Sequence, residues 1–340
     1  FRMPLPIAVD PNATRYLPGQ SAGHYESFFL RANHPTEPRA FWIRYTIFSP
    51  LDHPENAVGE LWAIYFDGNT DNHVAVRQEF PFAECAFDRT QLGVRIGAAS
   101  LQPGQASGAA QYAEHTILWE MTFSGSADPL YLLPRSLYTG GFPKAKSLVP
   151  LPLALFKGTI TVDGEPIRIN NWLGSQNHNW GSQHTDFYVW GQVAGFESHA
   201  DCFLEVATAK LKAKSIWTPP LTFIVLRYQG EEIKLNSLSQ AVRAHALIAP
   251  LYWAFRSENA RWRIEGIISA PREAFVGLIY LNPPGGNKVC LNSKIAKCEL
   301  TITHKRSRER EKLVSNRAAF ELLSDSNSQN IPIAINPKKP

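Results

Sequence analysis

Between Asn170 and Gln192 the chain reads NNWLGSQNHNWGSQHTDFYVWGQ. This stretch gathers His178, Trp180, His184, Asp186, Tyr188 and Trp190, with four asparagines and three glutamines around them. An imidazole and a carboxylate can give and take protons, while phenols and indoles supply hydrogen-bond donors and an aromatic wall. If the chain is extended from His184 onward, a period of two places His184, Asp186, Tyr188 and Trp190 on one face and Thr185, Phe187 and Val189 on the other. Asn179 adds an amide to the same region. A purely structural role also fits these residues, because polar side chains beside a domain junction can satisfy buried backbone groups. A second candidate is Glu205 in Cys202-Phe-Leu-Glu-Val-Ala. It interrupts an apolar run, so its carboxyl must be ion-paired, hydrogen-bonded or protonated once buried.

Strands must position these residues. Phe41–Phe48 is aromatic and β-branched and stops at Ser49-Pro50, and Glu60–Phe66 stops at Asp67-Gly68. Thr159–Val162, Asp163-Gly164 and Glu165–Ile169 form a complete hairpin signal. Phe187–Gly191, Cys202–Lys210, Leu221–Tyr228, Trp262–Ile268, Phe275–Leu281 and Glu299–Thr303 continue the pattern. The spacing predicts helix only over Leu238–Trp253 and near Ala318–Leu323. Many short strands with regular turns imply a sandwich or barrel.

An internal repeat refines this picture. His24-Tyr-Glu-Ser-Phe-Phe returns in outline about 160 residues later as His184-Thr-Asp-Phe-Tyr-Val. Phe41-Trp-Ile-Arg answers Phe203-Leu-Glu-Val, and Leu61–Gly68 answers Thr222–Gly230. The offset then shortens to roughly 140, where Trp119 answers Trp262 and Lys157-Gly-Thr-Ile-Thr answers Lys297-Cys-Glu-Leu-Thr-Ile-Thr. Collinear matches of this kind predict an all-β chain of two tandem antiparallel barrels, residues 1–176 and 177–340. A barrel of about eight strands has room for one small ligand, and two in tandem also make a cleft.

Composition narrows the function classes. Nine Trp, eleven Tyr and nineteen Phe favour sheet cores and an apolar cavity. The formal net charge of +4 comes without a basic stripe interleaved with aromatics, which argues against nucleic acid as partner. The basic run His304–Lys312 carries two glutamates and reads as a solvated hairpin tip. Cys85, Cys202, Cys290 and Cys298 are not at metal-ligand spacing; they read as core thiols with one disulfide left open, and no metal is expected. No apolar run is long enough for a transmembrane segment, which leaves peripheral membrane contact open. The start at Phe1 shows no signal-peptide pattern and leaves prior removal of a leader open.

Asn177-His-Asn-Trp-Gly181, followed by the Trp190-Gly191 strand, resembles the hallmark of the AttH-like family, which includes carotenoid hydratases. His24-Tyr-Glu-Ser-Phe-Phe, Phe41-Trp-Ile-Arg-Tyr, Gly59-Glu-Leu-Trp-Ala and Phe123-Ser-Gly are similar to that family as well. Tocopherol cyclases and fungal Diels–Alderases have related lipocalin-like folds. The resemblance implies two lipocalin-like, calycin-type domains acting on hydrophobic, often isoprenoid, molecules. It also implies catalytic roles for His178 and Trp180 and for a later Tyr-x-Asp pair. That pair falls nearest Phe203 and Glu205, so the phenol is absent and the acid is a glutamate.

The leading functional reading is therefore a hydratase, cyclase or isomerase. Glu205 or Asp186 protonates a double bond, the faces of Trp180 and Trp190 stabilise the cation, and water held by His178 or His184, or an internal nucleophile, quenches it. His184, Tyr188, Trp190, Phe203 and Asn179 line the ligand. No organic cofactor is required, and no Gly-rich phosphate loop is present. The alternatives are a non-catalytic carrier of an apolar ligand and, last, an acyl hydrolase using Ser175 or Ser182, neither of which sits in a G-x-S-x-G elbow.

Overall fold

Aromatic and β-branched residues alternate with polar ones wherever one sheet face meets solvent, as in His115–Ser124, whose residues are in turn buried and exposed. The computed structural model describes residues 10–213 and 215–337; Phe1 lies outside them. The first sheet contains β1 (His24–Asn33), β2 (Arg39–Ser49), β3 (Val58–Asp67), β4 (Val74–Pro81), β5 (Cys85–Phe87), β6 (Val94–Ile96), β7 (Ala99–Gln102), β8 (Gln105–Tyr112), β9 (His115–Ser124), β10 (Leu130–Tyr131), β11 (Ala145–Val162) and β12 (Glu165–Gly181). Its order is β4-β3-β2-β1-β12-β11-β9-β8-β7-β6-β5, with β4 brought round against β8 and β9 to nearly close an antiparallel barrel.

The remaining elements are β13 (Phe187–Ala194), β14 (Phe203–Lys210), β15 (Lys212–Ala213), β16 (Ile216–Trp217), β17 (Leu221–Tyr228), β18 (Glu231–Leu235), α1 (Leu238–Arg243), β19 (His245–Ala249), β20 (Tyr252–Glu258), β21 (Trp262–Ser269), β22 (Val276–Leu281), β23 (Asn287–His304), β24 (Arg310–Ser324) and β25 (Ile333–Ile335). The second sheet runs β18-β17-β14-β13-β24-β23-β21-β20-β19. Strand for strand, this is the path β4-β3-β2-β1-β12-β11-β9-β8-β7 of the first sheet. The repeats fall on matching strands: Phe41 and Phe203 on β2 and β14, Trp119 and Trp262 on β9 and β21, Lys157 and Lys297 on β11 and β23. The chain is thus all-β, with two tandem lipocalin-like barrels.

Each barrel interior is filled. Phe28, Tyr45, Trp119 and Phe156 pack inside the first, and Trp253, Phe255, Leu300 and Phe320 inside the second. A third apolar cluster joins the outer faces of the two sheets, with Phe29, Trp42 and Trp62 against Trp190, Leu278 and Tyr280. This stacking explains why all ten residues of β1 are buried. Phe28, Leu30 and Ala32 point into their own barrel, while Arg31 and Asn33 reach the other one, donating to the carbonyls of Arg317 and Lys294.

Of the two expected helices, one is absent and the other is shortened. Ala318–Leu323 lies inside β24, paired with β13 and β23. In Leu238–Trp253 only Leu238–Arg243 is helical, started by the capping box of Ser237 and Gln240. The rest is the hairpin β19–β20, turned at Pro250-Leu251 with Leu251 at φ 55. Helical spacing of apolar residues misled in both places because tertiary pairing overrides weak propensity. Asp163-Gly164 forms the expected tight hairpin, both residues at positive φ. The chain changes sheet across residues 182–186. A cut between 176 and 177 falls within β12, which stays in the first sheet to Gly181. The four cysteines are free thiols, three of them buried.

Gly191 shows how tightly strand and core are matched. A Cβ there would overlap Ile268 Cδ1 and lie 3.2 Å from the Trp253 ring. Gly191→Ala is expected to cost about 1–3 kcal/mol of stability through overpacking, read by chemical denaturation; unchanged stability contradicts this packing.

Candidate functional site

Strand alternation divides the Asn177–Gly181 motif between two environments. His178 and Trp180 point toward the end of the first barrel, while Asn177 and Asn179 face the second. His178 is fully buried and stacks on Phe28 at 4.2 Å. Its Nε2 lies 2.8 Å from Glu26 Oε1 and its Nδ1 2.7 Å from the carbonyl of Pro11. Glu26 also accepts from the amides of Arg15 and Tyr16 and meets His24 Nε2 at 3.0 Å. Burial pushes the Glu26 carboxyl up, but the hydrogen bonds from His178 and His24 outweigh it and hold it at about 2. This group pins the segment around Pro11–Tyr16 across the barrel end. Trp180 lies beside His178, at 4.7 Å between rings, with Arg15 over its face.

The cavity opens on the other face of β12, between the two sheets, with a volume of about 170 Å³. The first barrel supplies Tyr25, Phe29, Trp42, Arg44 and Asn179; the second supplies His184, Tyr188, Trp190, Tyr280 and Glu321. Leu133, Leu137, Phe142, Leu211 and Leu238 form an apolar mouth. Period two holds for Tyr188 and Trp190 on β13. His184 arrives from the preceding loop and stacks on Tyr25 at 4.1 Å. Burial, helped by the charge of Arg44, pushes the His184 imidazole down to about 3, so it is neutral at ordinary pH. Burial likewise raises the Tyr188 and Tyr280 phenols well above their usual value.

Glu321 is the one carboxylate among these lining residues. It accepts from Lys294 Nζ at 2.7 Å, Asn292 Nδ2 at 3.1 Å and the Tyr188 hydroxyl at 3.4 Å. Arg44 donates from Nε to Ser27 Oγ at 2.7 Å and lies over the Tyr280 ring at 4.7 Å. Two buried polar atoms of lining residues, Trp42 Nε1 and Asn179 Oδ1, have no partner among the described residues.

Glu205 does not join His178 and Trp180, because β12 separates them. Its oxygens accept from Trp190 Nε1 at 2.7 Å and Gln192 Nε2 at 2.8 Å, behind the cavity wall. Gln192 in turn links Asn177 and Ser175. Among the described residues Glu205 makes no salt bridge of the kind a structural ion pair would need; instead, burial raises its carboxyl to about 7, the two hydrogen bonds only partly opposing it. Glu205 thus fixes the Trp190 ring and does not line the cavity. Asp186 accepts from the Lys212 amide outside it. Phe203 sits one layer below, packed with Leu132 and Phe223. Ser175 is buried against Gln192 and Ser182 is exposed, so neither hydroxyl faces the cavity.

Sequence reasoning passed over Tyr25, Trp42, Arg44, Tyr280 and Glu321. Arg44 and Glu321 carried the same signal as Glu205, a charge inside an apolar strand: Phe41-Trp-Ile-Arg-Tyr and Ala318-Ala-Phe-Glu-Leu.

Two pH effects follow. Glu26 titrates from 4.5 unfolded to about 2 folded, so its stabilisation is complete above about pH 4.5 and is lost as pH falls toward 2. Glu26→Gln is expected to remove that acid-side slope and to cost about 3–5 kcal/mol, since two histidines lose a buried partner; an unchanged slope in denaturation series contradicts the plug. Glu205 shows the opposite sign. The folded state keeps its proton between pH 4.5 and about 7 while the unfolded chain releases it, so stability falls as pH rises through that window. Glu205→Gln is expected to flatten that decline, and a decline that persists contradicts the assignment.

Comparison with known proteins agrees with this architecture. An uncharacterized protein of Mycobacterium tuberculosis, found in strains CDC 1551 and H37Rv, is 24% identical over 291 residues, covering 83% of this chain and 82% of its own. The solved structure of a putative AttH from Nitrosomonas europaea has a TM-score of 0.53 at 12% identity, covering 89% of this chain and 92% of that one. Kievitone hydratase from Nectria haematococca has a TM-score of 0.53 at 11% identity, covering 93% and 95%. Both share the fold that the sequence resemblance implied. No helix among the described residues is long and apolar enough to cross a membrane. Residues 147–322, just over half of the chain, match the Tocopherol cyclase-like family. They span the cavity strands β12, β13, β14 and β17 and most of β24, and the chain belongs to that family.

Proposed function

We propose that the protein adds an oxygen nucleophile, either water or a hydroxyl of the substrate itself, across a carbon–carbon double bond of a small apolar, isoprenoid-type molecule held between the barrels. The observation that carries this reading is the Tyr188–Glu321 pair inside an aromatic enclosure. The reaction must move one proton from the oxygen to the neighbouring carbon. Glu321 and the phenol that donates to it form a short path for that proton, and Lys294 and Asn292 hold the carboxylate in place. Positive charge developing on carbon is offset by the Glu321 carboxylate, since Arg44 and Lys294 already lie over the Trp42, Trp190 and Tyr280 rings. The membership in a cyclase-like family and the fold shared with a hydratase support the same chemistry.

A carrier would need the enclosure but not the proton path, and the two differ by experiment. The protein is incubated with a panel of prenylated phenols and terpenoid alkenes in heavy water, and products are read by mass spectrometry. Enzymatic addition is expected to leave one non-exchangeable deuterium on carbon per turnover. Glu321→Gln and Tyr188→Phe are each expected to lower turnover about a hundredfold while binding persists. Binding without conversion identifies a carrier, and undiminished turnover in both variants contradicts the assigned pair.

A further inference from the structure

We infer that the cavity selects an amphiphile with an anionic head, specifically a carboxylate seated on Arg44 with its apolar chain directed to the mouth. The inference rests on the inter-barrel cavity being the ligand site. Arg44 is 5% exposed, and among the described residues its single hydrogen bond uses Nε; neither terminal nitrogen has an acceptor. A buried guanidinium with two free donors is costly unless something supplies oxygen atoms to them. The protein does not, although the Trp42 and Tyr280 rings hold the group in place at 5.9 and 4.7 Å.

Glu60 and Glu321 lie close enough to favour the charge of Arg44, yet neither accepts a hydrogen bond from it. Glu60 is taken by Arg77 at 2.5 Å and by Trp62 Nε1 at 2.9 Å. Glu321 is taken by Lys294 at 2.7 Å. Tyr25, Tyr188 and Tyr280 stay as neutral phenols and His184 as neutral imidazole, since burial disfavours their charged forms. Lys146, also on the wall, donates only to the backbone carbonyls of Gly140 and Pro143. The cavity therefore carries an excess of positive charge, and Arg44 offers the two parallel donors that match a carboxylate. The opposite end is leucine and phenylalanine, suited to a hydrocarbon chain.

The test compares decanoate with 1-decanol, which share a chain and differ in the head, by isothermal titration calorimetry at pH 8. Wild-type protein is expected to bind decanoate at least tenfold more tightly than decanol. Arg44→Met is expected to weaken decanoate to the level of decanol and leave decanol unchanged. Arg44→Lys, which keeps the charge without the fork and is checked by thermal melting for fold, is expected to fall between. Equal binding of the two probes to wild type, or a carboxylate preference that survives in Arg44→Met, overturns the head assignment alone. Failure of both probes to bind overturns it together with the cavity as ligand site.

Discussion

Stacking the outer faces of two barrels buries a strip of polar and charged side chains that neither barrel can satisfy alone. Ser27, Arg31, Asn33 and Arg44 on one side meet Glu205, Lys294 and Glu321 on the other. Each would be solvated on an isolated barrel, and each must find partners across the junction once water is excluded. Lys294 with Glu321, and Glu205 with Trp190 and Gln192, are solutions that the packing forces. Where partners run out, at Arg44, Trp42 and Asn179, the interface opens into a cavity. Site and junction are thus consequences of one contact.

The filled interiors give this contact its functional weight. With Tyr45 and Trp119 bonded to each other inside the first barrel at 2.7 Å, and Trp253 packed on Phe255 at 4.9 Å in the second, the usual place for a lipocalin ligand is occupied by side chains. The free space lies between the barrels instead. The strand β12 serves both sides: its inner residues hold the Glu26 plug, and its outer residues contribute Asn179 to the cavity and Ser175 and Asn177 to the polar strip. Two-sided burial accounts for the amides at its buried end, Gln176 and Asn177, whose hydrogen bonds run to Asn12, Ser175 and Gln192.

Fold was legible because repeats and alternation are properties of strands themselves: Trp119 and Trp262, or Lys157 and Lys297, mark equivalent strands by sequence order alone. Half of the site was legible for the same reason, since Tyr188 and Trp190 share a face by period two. The misplacements also have a physical cause. His178 and Asn179 are neighbours in sequence, yet alternation sends them to opposite sides of a sheet, and nothing local says which side faces the second barrel. Glu321 was hidden because Ala318–Leu323 has helical spacing, and Arg44 because one charge in a strand cannot reveal its partner across the fold. Contacts made by residues 31 and 317, or 33 and 294, arise only when the barrels dock.

Filled interiors and an open junction require that ligand bind between the barrels and not within either. The most direct measurement is the anomalous scattering from crystals soaked with an ω-bromo alkyl carboxylate, which locates the bromine without reference to any assumed pose. A bromine peak is expected at the apolar mouth near Leu137, Phe142 and Leu238, with density for the chain leading in past Trp190. A peak inside either barrel, among Phe28, Tyr45 and Trp119 or among Trp253, Phe255 and Phe320, would contradict it.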